Sequence, residues 1–280
     1  SVRDILMRIP SPDIDIVVEG EGIKFAERLA DKIKGKITFY LRFATAKIVK
    51  EILSNGKKVD FYIDVATART EYYESPAALP KVETSSIKKD LYRRDFTINS
   101  IAVKLNAKNF GLLIDFFGGQ RDIKDKIIRV LHNLSFVEDP TRAIRAVRFA
   151  EKLGFRISKH TENLIRLAVK MGVFEKLKDS RLYEELLLLL KETIPYQSIK
   201  RLKDYGLLKV IHPKLEEKDL NKLLKKSYEI IQVIELLFLK DQYHVELIYL
   251  MAILWQLEYK ERIELLERIG APQHIKKKLI

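Results

Sequence analysis

The hydrophobic period changes once along this chain, and that change limits the architectures open to it. Val59-Asp60-Phe61-Tyr62-Ile63-Asp64-Val65 alternates cleanly, the two-residue period of a half-buried strand. Ile14, Ile16 and Val17-Val18 mark a shorter strand, and Lys36 to Leu41 and Thr45 to Lys50 read as two more. Asn55-Gly56, just before Val59, is a strong hairpin signal. One helix interrupts them, because Ile23, Ala26, Leu29, Ala30 and Ile33 fall on one side of Glu21 to Lys34. From about residue 120 the spacing turns helical. Asp139-Pro140 opens a helix with an N-cap residue and a proline suited to the first helical position, and Gly154 ends it. Further helices are expected over Thr161 to Met171, Arg181 to Lys191, Ser198 to Tyr205, Lys218 to Leu239 and His244 to Leu257. A last one, Glu261 to Ile280, carries a break at Gly270-Ala271-Pro272. The fold class is therefore α+β, with a β-rich first part and an all-α remainder in series.

The alternation also places chemistry. Asp13 and Asp15 lie two apart on one strand and project to one face while Ile14 and Ile16 turn to the core; Asp60, Tyr62 and Asp64 share a face of the later strand. Asp13, Asp15 and Asp64 together make three mutually repelling carboxylates, for which a hard divalent cation is the usual remedy. A lone Asp-x-Asp is more often the solvent face of an edge strand, so the argument needs the other motifs. Arg93-Arg94-Asp95-Phe96-Thr97-Ile98-Asn99-Ser100 is one: two guanidiniums and short hydrogen-bonding side chains running into an apolar stretch suit a polyanion. A surface ion-pair cluster would look the same locally. Arg142, Arg145 and Arg148 recur at i+3 and i+6 beside an apolar side formed by Ala143, Ile144, Val147 and Ala150.

With 52 Lys+Arg against 39 Asp+Glu the net charge is +13, which points to a polyanionic partner, nucleic acid before membrane. A thermophile's charged surface would give a similar balance. The absence of cysteine excludes disulfides and thiolate metal sites and suits a reducing cytoplasm. The most apolar run, Val245 to Leu257, is short and interrupted by Glu246 and Gln256, so neither a membrane span nor a membrane partner is expected. The five histidines are scattered without ligand spacing and read as structural or surface residues. The abrupt opening at Ser1-Val2-Arg3-Asp4 suggests a piece of a longer polypeptide or a disordered start.

Taken in order, Val2-Arg3-Asp4, Asp13-Ile14-Asp15, Arg93-Arg94-Asp95, Ile114-Asp115-Phe116-Phe117-Gly118-Gly119 and Glu138-Asp139-Pro140-Thr141-Arg142 resemble the motifs of the class II tRNA nucleotidyltransferase and bacterial poly(A) polymerase family. The two glycines that precede Val-Arg-Asp in that family are missing here, and with them half of a phosphate cradle. The resemblance spans Ser1 to about Phe155. It implies a mixed-sheet nucleotidyltransferase head over residues 1–130, a helical neck over 131–195 with the base-reading helix, and a helical, RNA-binding body over 196–280. It implies Mg²⁺ on Asp13 and Asp15, with Asp64 as the third catalytic carboxylate. Arg3, Arg93, Arg94, Asp95, Asn99, Arg145 and Arg148 are then nucleotide-binding, and Asp139 with Arg142 reads the base. The pairing is chemically sound: a carboxylate accepts from the exocyclic amine of C or A, and a guanidinium donates to the adjacent ring nitrogen. Asp139 as a mere N-cap is the competing reading.

The implied partners are tRNA and CTP, ATP or both, in the cytoplasm. Four activities share these motifs: CCA, CC or A addition and poly(A) synthesis. The resemblance implies that the stretch from Glu71 to Lys89 governs the switch from C to A, and full CCA addition is the simplest expectation. A silent RNA-binding protein would have lost the carboxylates, and a metal-dependent nuclease would not need the Asp/Arg pair.

Overall fold

The computed structural model describes residues 2–11, 13–54, 57–75, 77–78, 80–177, 180–236 and 244–279. The chain forms two compact units, residues 1–74 with 79–125, and residues 75–78 with 126–280.

The first unit is built on a four-stranded mixed sheet. Strands β1 (Asp13–Val18), β2 (Lys36–Tyr40), β3 (Thr45–Ser54) and β4 (Lys57–Thr67) lie in the order β1-β4-β3-β2. The β1·β4 ladder is parallel and the other two are antiparallel. The Asn55-Gly56 turn expected between β3 and β4 lies outside the described residues. On one face, helix α2 (Gly22–Ile33) sets Ala26 and Ala30 against Ala46, Ile48, Ile63 and Val65, all buried. Alanine at the contact lets the helix axis approach the sheet closely, and Ile16, Val18, Leu29 and Ile33 close the edges. Ile14 differs from expectation: it lies near the open end of β1, an edge strand, and is exposed. The opening residues also differ, since Val2–Leu6 forms a short helix (α1).

The Arg-Arg-Asp segment follows helix α3 (Ile87–Tyr92) and is fixed by what lies under it. Phe96 and Ile98 are fully buried, and Thr97–Asn99 makes one 3₁₀ turn. Thr97 Oγ1 donates to Asp122 Oδ2 of helix α4 (Gly119–Lys124) at 2.6 Å. Asp115 fixes the start of that helix, accepting from the Gly119 and Gln120 amides at 2.8 and 2.9 Å. Gly118 has φ +76°, a conformation glycine adopts at little cost, and a Cβ on Gly119 would collide with the Thr97 carbonyl and lie 2.7 Å from Ile101. Gly119→Ala is therefore expected to cost about 1–3 kcal/mol, read as a lower urea midpoint, because the colliding atom is backbone and cannot rotate away.

The first unit also holds two short antiparallel pairs, β5 (Arg69–Tyr72) with β6 (Lys81–Thr84) and β7 (Ala102–Val103) with β8 (Leu113–Ile114). Among its described residues the second unit is helical except for a two-residue parallel ladder, Ile127–Ile128 (β9) with Arg156–Ile157 (β10), which the sequence does not announce. Its central element is helix α6 (Thr141–Leu153), capped by Gly154 at φ +64°. Helices α8 (Arg181–Leu190) and α9 (Pro195–Asp204) pack on it, and α7 (Lys159–Lys170) packs on the short α5 (Ser135–Glu138) that precedes it. Ser158 caps α7, its Oγ accepting from the Thr161 amide at 3.2 Å. The core joins Ile144, Val147, Ile165, Phe174, Leu182 and Leu189. The long helix expected from Lys218 is described over Leu220–Leu236, and the next over Val245–Leu254. The last expected helix is two, Tyr259–Arg268 and Gln273–Leu279, separated at the predicted break. Among the described residues, no helix is long and apolar enough to cross a membrane.

Candidate active site

In the first unit the sheet face away from α2 carries the carboxylates. The parallel register pairs Asp13 with Tyr62 and Asp15 with Asp64, so all four side chains stand on that face. Across the antiparallel ladder Lys47 is the partner of Asp64, and its Nζ lies 5.1 Å from the centre of the Tyr62 ring. Burial pushes the Asp64 carboxyl above its ordinary value, the charge of Lys47 opposes this, and Asp15 and Asp13 push it further up. The motif is on an edge strand, as the competing reading has it, yet its charges converge with Asp64 of the neighbouring strand. No group of three or more His, Asp or Glu side chains forms a ready ion cage among the described residues. Mg²⁺ does not require one, since it takes one or two carboxylates and completes its shell with water and substrate phosphates. Two in-register aspartates, Asp64 with its pKa raised by burial and by the charges of Asp15 and Asp13, fit that donor set.

The phosphate-binding candidates of the same unit form a linked network. Arg3 donates to Asp4 Oδ1 at 2.6 Å and to Asn99 Oδ1 at 2.7 Å, and Asn99 Nδ2 donates to Asp95 Oδ1 at 2.9 Å. The pair with Asp4 is largely buried, and the same guanidinium is tied to the Arg-Arg-Asp motif. Asp90, fully buried and not singled out by the sequence, organises the rest. It accepts from Arg93 Nη2 at 2.8 Å, Arg94 Nη2 at 3.2 Å and the Arg69 amide at 3.2 Å. Arg93 also pairs with Glu71 at 2.8 Å. Arg94 is the more exposed of the two arginines, at 27% against 19%, and its Nε is buried without a partner.

The second unit holds the base-reading candidates. Asp139 does act as a cap: its Oδ1 accepts from the Thr141 amide at 3.1 Å and the Thr141 hydroxyl at 2.7 Å, and Arg181 Nη1 lies 3.6 Å away. Every one of these contacts uses Oδ1. The other oxygen carries none among the described residues, so capping does not consume the acceptor a base would need. Arg142 is buried, donating to Ser135 Oγ at 3.1 Å with Glu138 at 3.9 Å. His132 stands 3.4 Å from Glu138, and burial together with the Arg142 charge pushes its pKa down to about 4, which keeps it neutral at physiological pH. Arg181 also donates to the Ala77 carbonyl.

The arginines expected to bind nucleotide along α6 are already ion-paired. Arg145 pairs with Glu185 at 2.6 Å and is 30% exposed. Arg148 is only 9% exposed and held by Glu185 at 3.3 Å and Glu192 at 3.5 Å. Two carboxylates match its charge, and through them Arg148 ties α6 to α8. Local spacing told which arginines share a side of the helix but not what that side would meet.

Residues 1–129 match the family described as the Poly A polymerase head domain, and residues 154–219 match one described as the probable RNA and SrmB-binding site of polymerase A. The chain is 48% identical over all 280 of its residues to an A-adding tRNA nucleotidyltransferase of Geobacter sulfurreducens, of which it covers 31%. An A-adding tRNA nucleotidyltransferase of Aquifex aeolicus is 39% identical over 98% of the chain, with 32% of that protein covered. The chain thus spans about a third of the length of these curated relatives. Among solved structures, the apo form II of a CCA-adding enzyme matches 99% of the chain at TM-score 0.84 and 42% identity, with 64% of that structure covered. A tRNA-processing enzyme with CTP matches 99% at TM-score 0.78 and 34% identity, with 71% covered. Similarity of this strength, running nearly end to end through both units, leaves one assignment: the chain belongs to the class II tRNA nucleotidyltransferase and poly(A) polymerase family.

Proposed function

We propose that the protein is a template-independent nucleotidyltransferase that adds AMP from ATP to the 3′ end of tRNA. The observation that carries the reaction class is the in-register Asp15/Asp64 pair with Asp13 on one sheet face. The choice of AMP is supported by the two relatives above, both named A-adding. In this reading residues 1–130 are the catalytic head, 131–195 the neck and 196–280 the RNA-binding body. The 3′-hydroxyl of the tRNA attacks the α-phosphate of ATP, the bond to the β-phosphate oxygen breaks, and pyrophosphate leaves. Asp13 and Asp15 hold Mg²⁺ and Asp64 completes the carboxylate set. Bound there, Mg²⁺ supplies charge neutralisation at the attacking and departing oxygens. Arg3, oriented by Asn99 and through it by Asp95, binds phosphate together with Arg93 and Arg94, which Asp90 holds in place. Asp139 accepts from the adenine amine while Arg142, immobilised by Ser135, donates to the ring nitrogen. Arg145 is the member of its stripe with surface left to meet a phosphate.

Full CCA addition is the second reading, because the same Asp/Arg pair accepts cytosine as well as adenine. Transcripts ending before CCA, after C and after CC, incubated with Mg²⁺ and CTP, ATP or both, separate the two. One AMP added to the last transcript alone is the expected result. Completion of CCA on the first would establish the broader activity, and CMP addition without AMP would make the protein a CC-adder. Long A tails would make it a poly(A) polymerase. No incorporation by the full-length protein would sink the catalytic reading.

A further inference from the structure

The second unit contains a cleft of about 270 Å³ that plays no part in the chemistry above. Its walls come from three elements: Arg156 of β10, Glu162 and Arg166 of α7, and Arg201, Asp204 and Tyr205 at the end of α9. The acids there do not cancel the bases. Glu162 accepts from the Tyr205 hydroxyl at 2.9 Å and lies 3.6 Å from Lys159, so its charge is already matched. Arg201 is paired with Glu151 at 2.8 Å. Arg166, by contrast, is bonded only to a neutral group, donating to the Asp204 main-chain carbonyl at 2.9 Å, and its guanidinium stacks 5.1 Å from the centre of the Tyr205 ring. Arg156 is exposed and makes no ion pair among the described residues. Two guanidinium charges thus face the cleft unmatched by carboxylates bonded to them, against the one carboxylate of Asp204.

Arg166 is also pre-set. Ring and carbonyl together fix the plane of its fork, so little side-chain entropy is left to lose when a bidentate acceptor arrives. The volume decides what that acceptor is. Enclosed small-molecule sites run from roughly 300 to 1,000 Å³ and are mostly apolar, whereas this cleft is smaller and its lining is charged. It suits one tetrahedral anionic group on a chain that continues past it. We infer that Arg156 and Arg166 bind a backbone phosphate of the RNA acceptor, fixing the register of the RNA on the second unit without reading its sequence. The whole cleft falls within residues 154–219, the segment matched to the polymerase RNA-binding family. The inference rests on the proposal that the acceptor is RNA.

The test uses the full-length protein. Arg156→Gln leaves every described hydrogen bond intact, so a folding defect does not confound it; Arg166→Gln is the second variant, checked first for an unchanged melting temperature. Binding of a tRNA transcript ending in CC is measured across a salt series. Each variant is expected to weaken binding roughly three- to tenfold and to reduce the slope of log Kd against log salt by about 1, with KM for ATP and kcat at saturating RNA unchanged. Unchanged tRNA affinity and slope in both variants would overturn the assignment. Inorganic phosphate and pyrophosphate are titrated separately: a calorimetric site lost in Arg156→Gln with tRNA binding intact would assign the cleft to free anion and refute the RNA contact. If the wild type binds tRNA with this Arg dependence but incorporates no nucleotide, the catalytic proposal fails and the phosphate site stands.

Discussion

Asp15→Asn and Asp64→Asn are each expected to slow AMP incorporation by roughly a thousandfold or more, because a catalytic metal site supplies several kcal/mol of transition-state stabilisation. The same substitutions are expected to leave the melting temperature of the metal-free protein unchanged or higher. The Asp64 pKa is raised in the fold, chiefly by burial with Asp15 and Asp13 adding to it, so the native state holds that proton more tightly than the unfolded chain does. The stability linked to it is fully present below the ordinary aspartate value of 3.8 and is lost as pH climbs through the raised native value. At neutral pH the ionised carboxylate therefore weakens the fold, and an amide relieves it. Melting curves from pH 4 to pH 8, with and without Mg²⁺, check both halves of the statement: Mg²⁺ should raise the melting temperature of the wild type and should do less for Asp64→Asn. A variant that loses several degrees in metal-free buffer would show instead that Asp64 supports the sheet.

Asp90→Ala should have the largest effect on stability. This carboxylate is fully buried and receives Arg93, Arg94 and the Arg69 amide. Removing it takes the carboxylate from Arg94 and leaves Arg93 with Glu71, and breaking a buried pair in this way costs about 3–5 kcal/mol. The melting temperature of the first unit should fall by roughly 10 °C or more. KM for ATP should rise as well, since both arginines lose their anchor. Asp90→Asn keeps the shape and one acceptor and is expected to fall between the two. Urea midpoints and ATP titrations of the three proteins give the ordering, and an Asp90→Ala protein of wild-type stability would refute the anchoring role.

Much of this was legible in the sequence because strand and helix periods act locally. Alternation groups Asp13 with Asp15 and, separately, Asp60 and Tyr62 with Asp64; that the two sets share one sheet face comes from the parallel ladder register. The break before Gln273 and the glycine end of α6 follow from short-range backbone chemistry. What stayed hidden depends on pairs distant in sequence. Glu185 and Glu192 meet Arg148 across 37 and 44 positions, Arg93 finds Glu71 across 22, and Arg181 reaches Ala77 across 104. No local pattern encodes such partners, so the burial of Arg148 between two carboxylates was not legible from its spacing. The capping of Asp139 was legible as one of two exclusive roles; that every described contact falls on Oδ1 was not.

The parallel β1·β4 ladder also sets when the site comes into being as the chain folds. The β3·β4 hairpin joins neighbours and can close within microseconds, but Asp15 meets Asp64 only after about fifty intervening residues have been looped back. A slip of one residue in that late pairing would turn every β1 carboxylate toward Ala26 and Ala30. Correct register and the assembled carboxylate face are thus one event in the first unit, so under the proposed function a refolding protein should acquire Mg²⁺ affinity when β1 pairs with β4 and not when the β3·β4 hairpin closes.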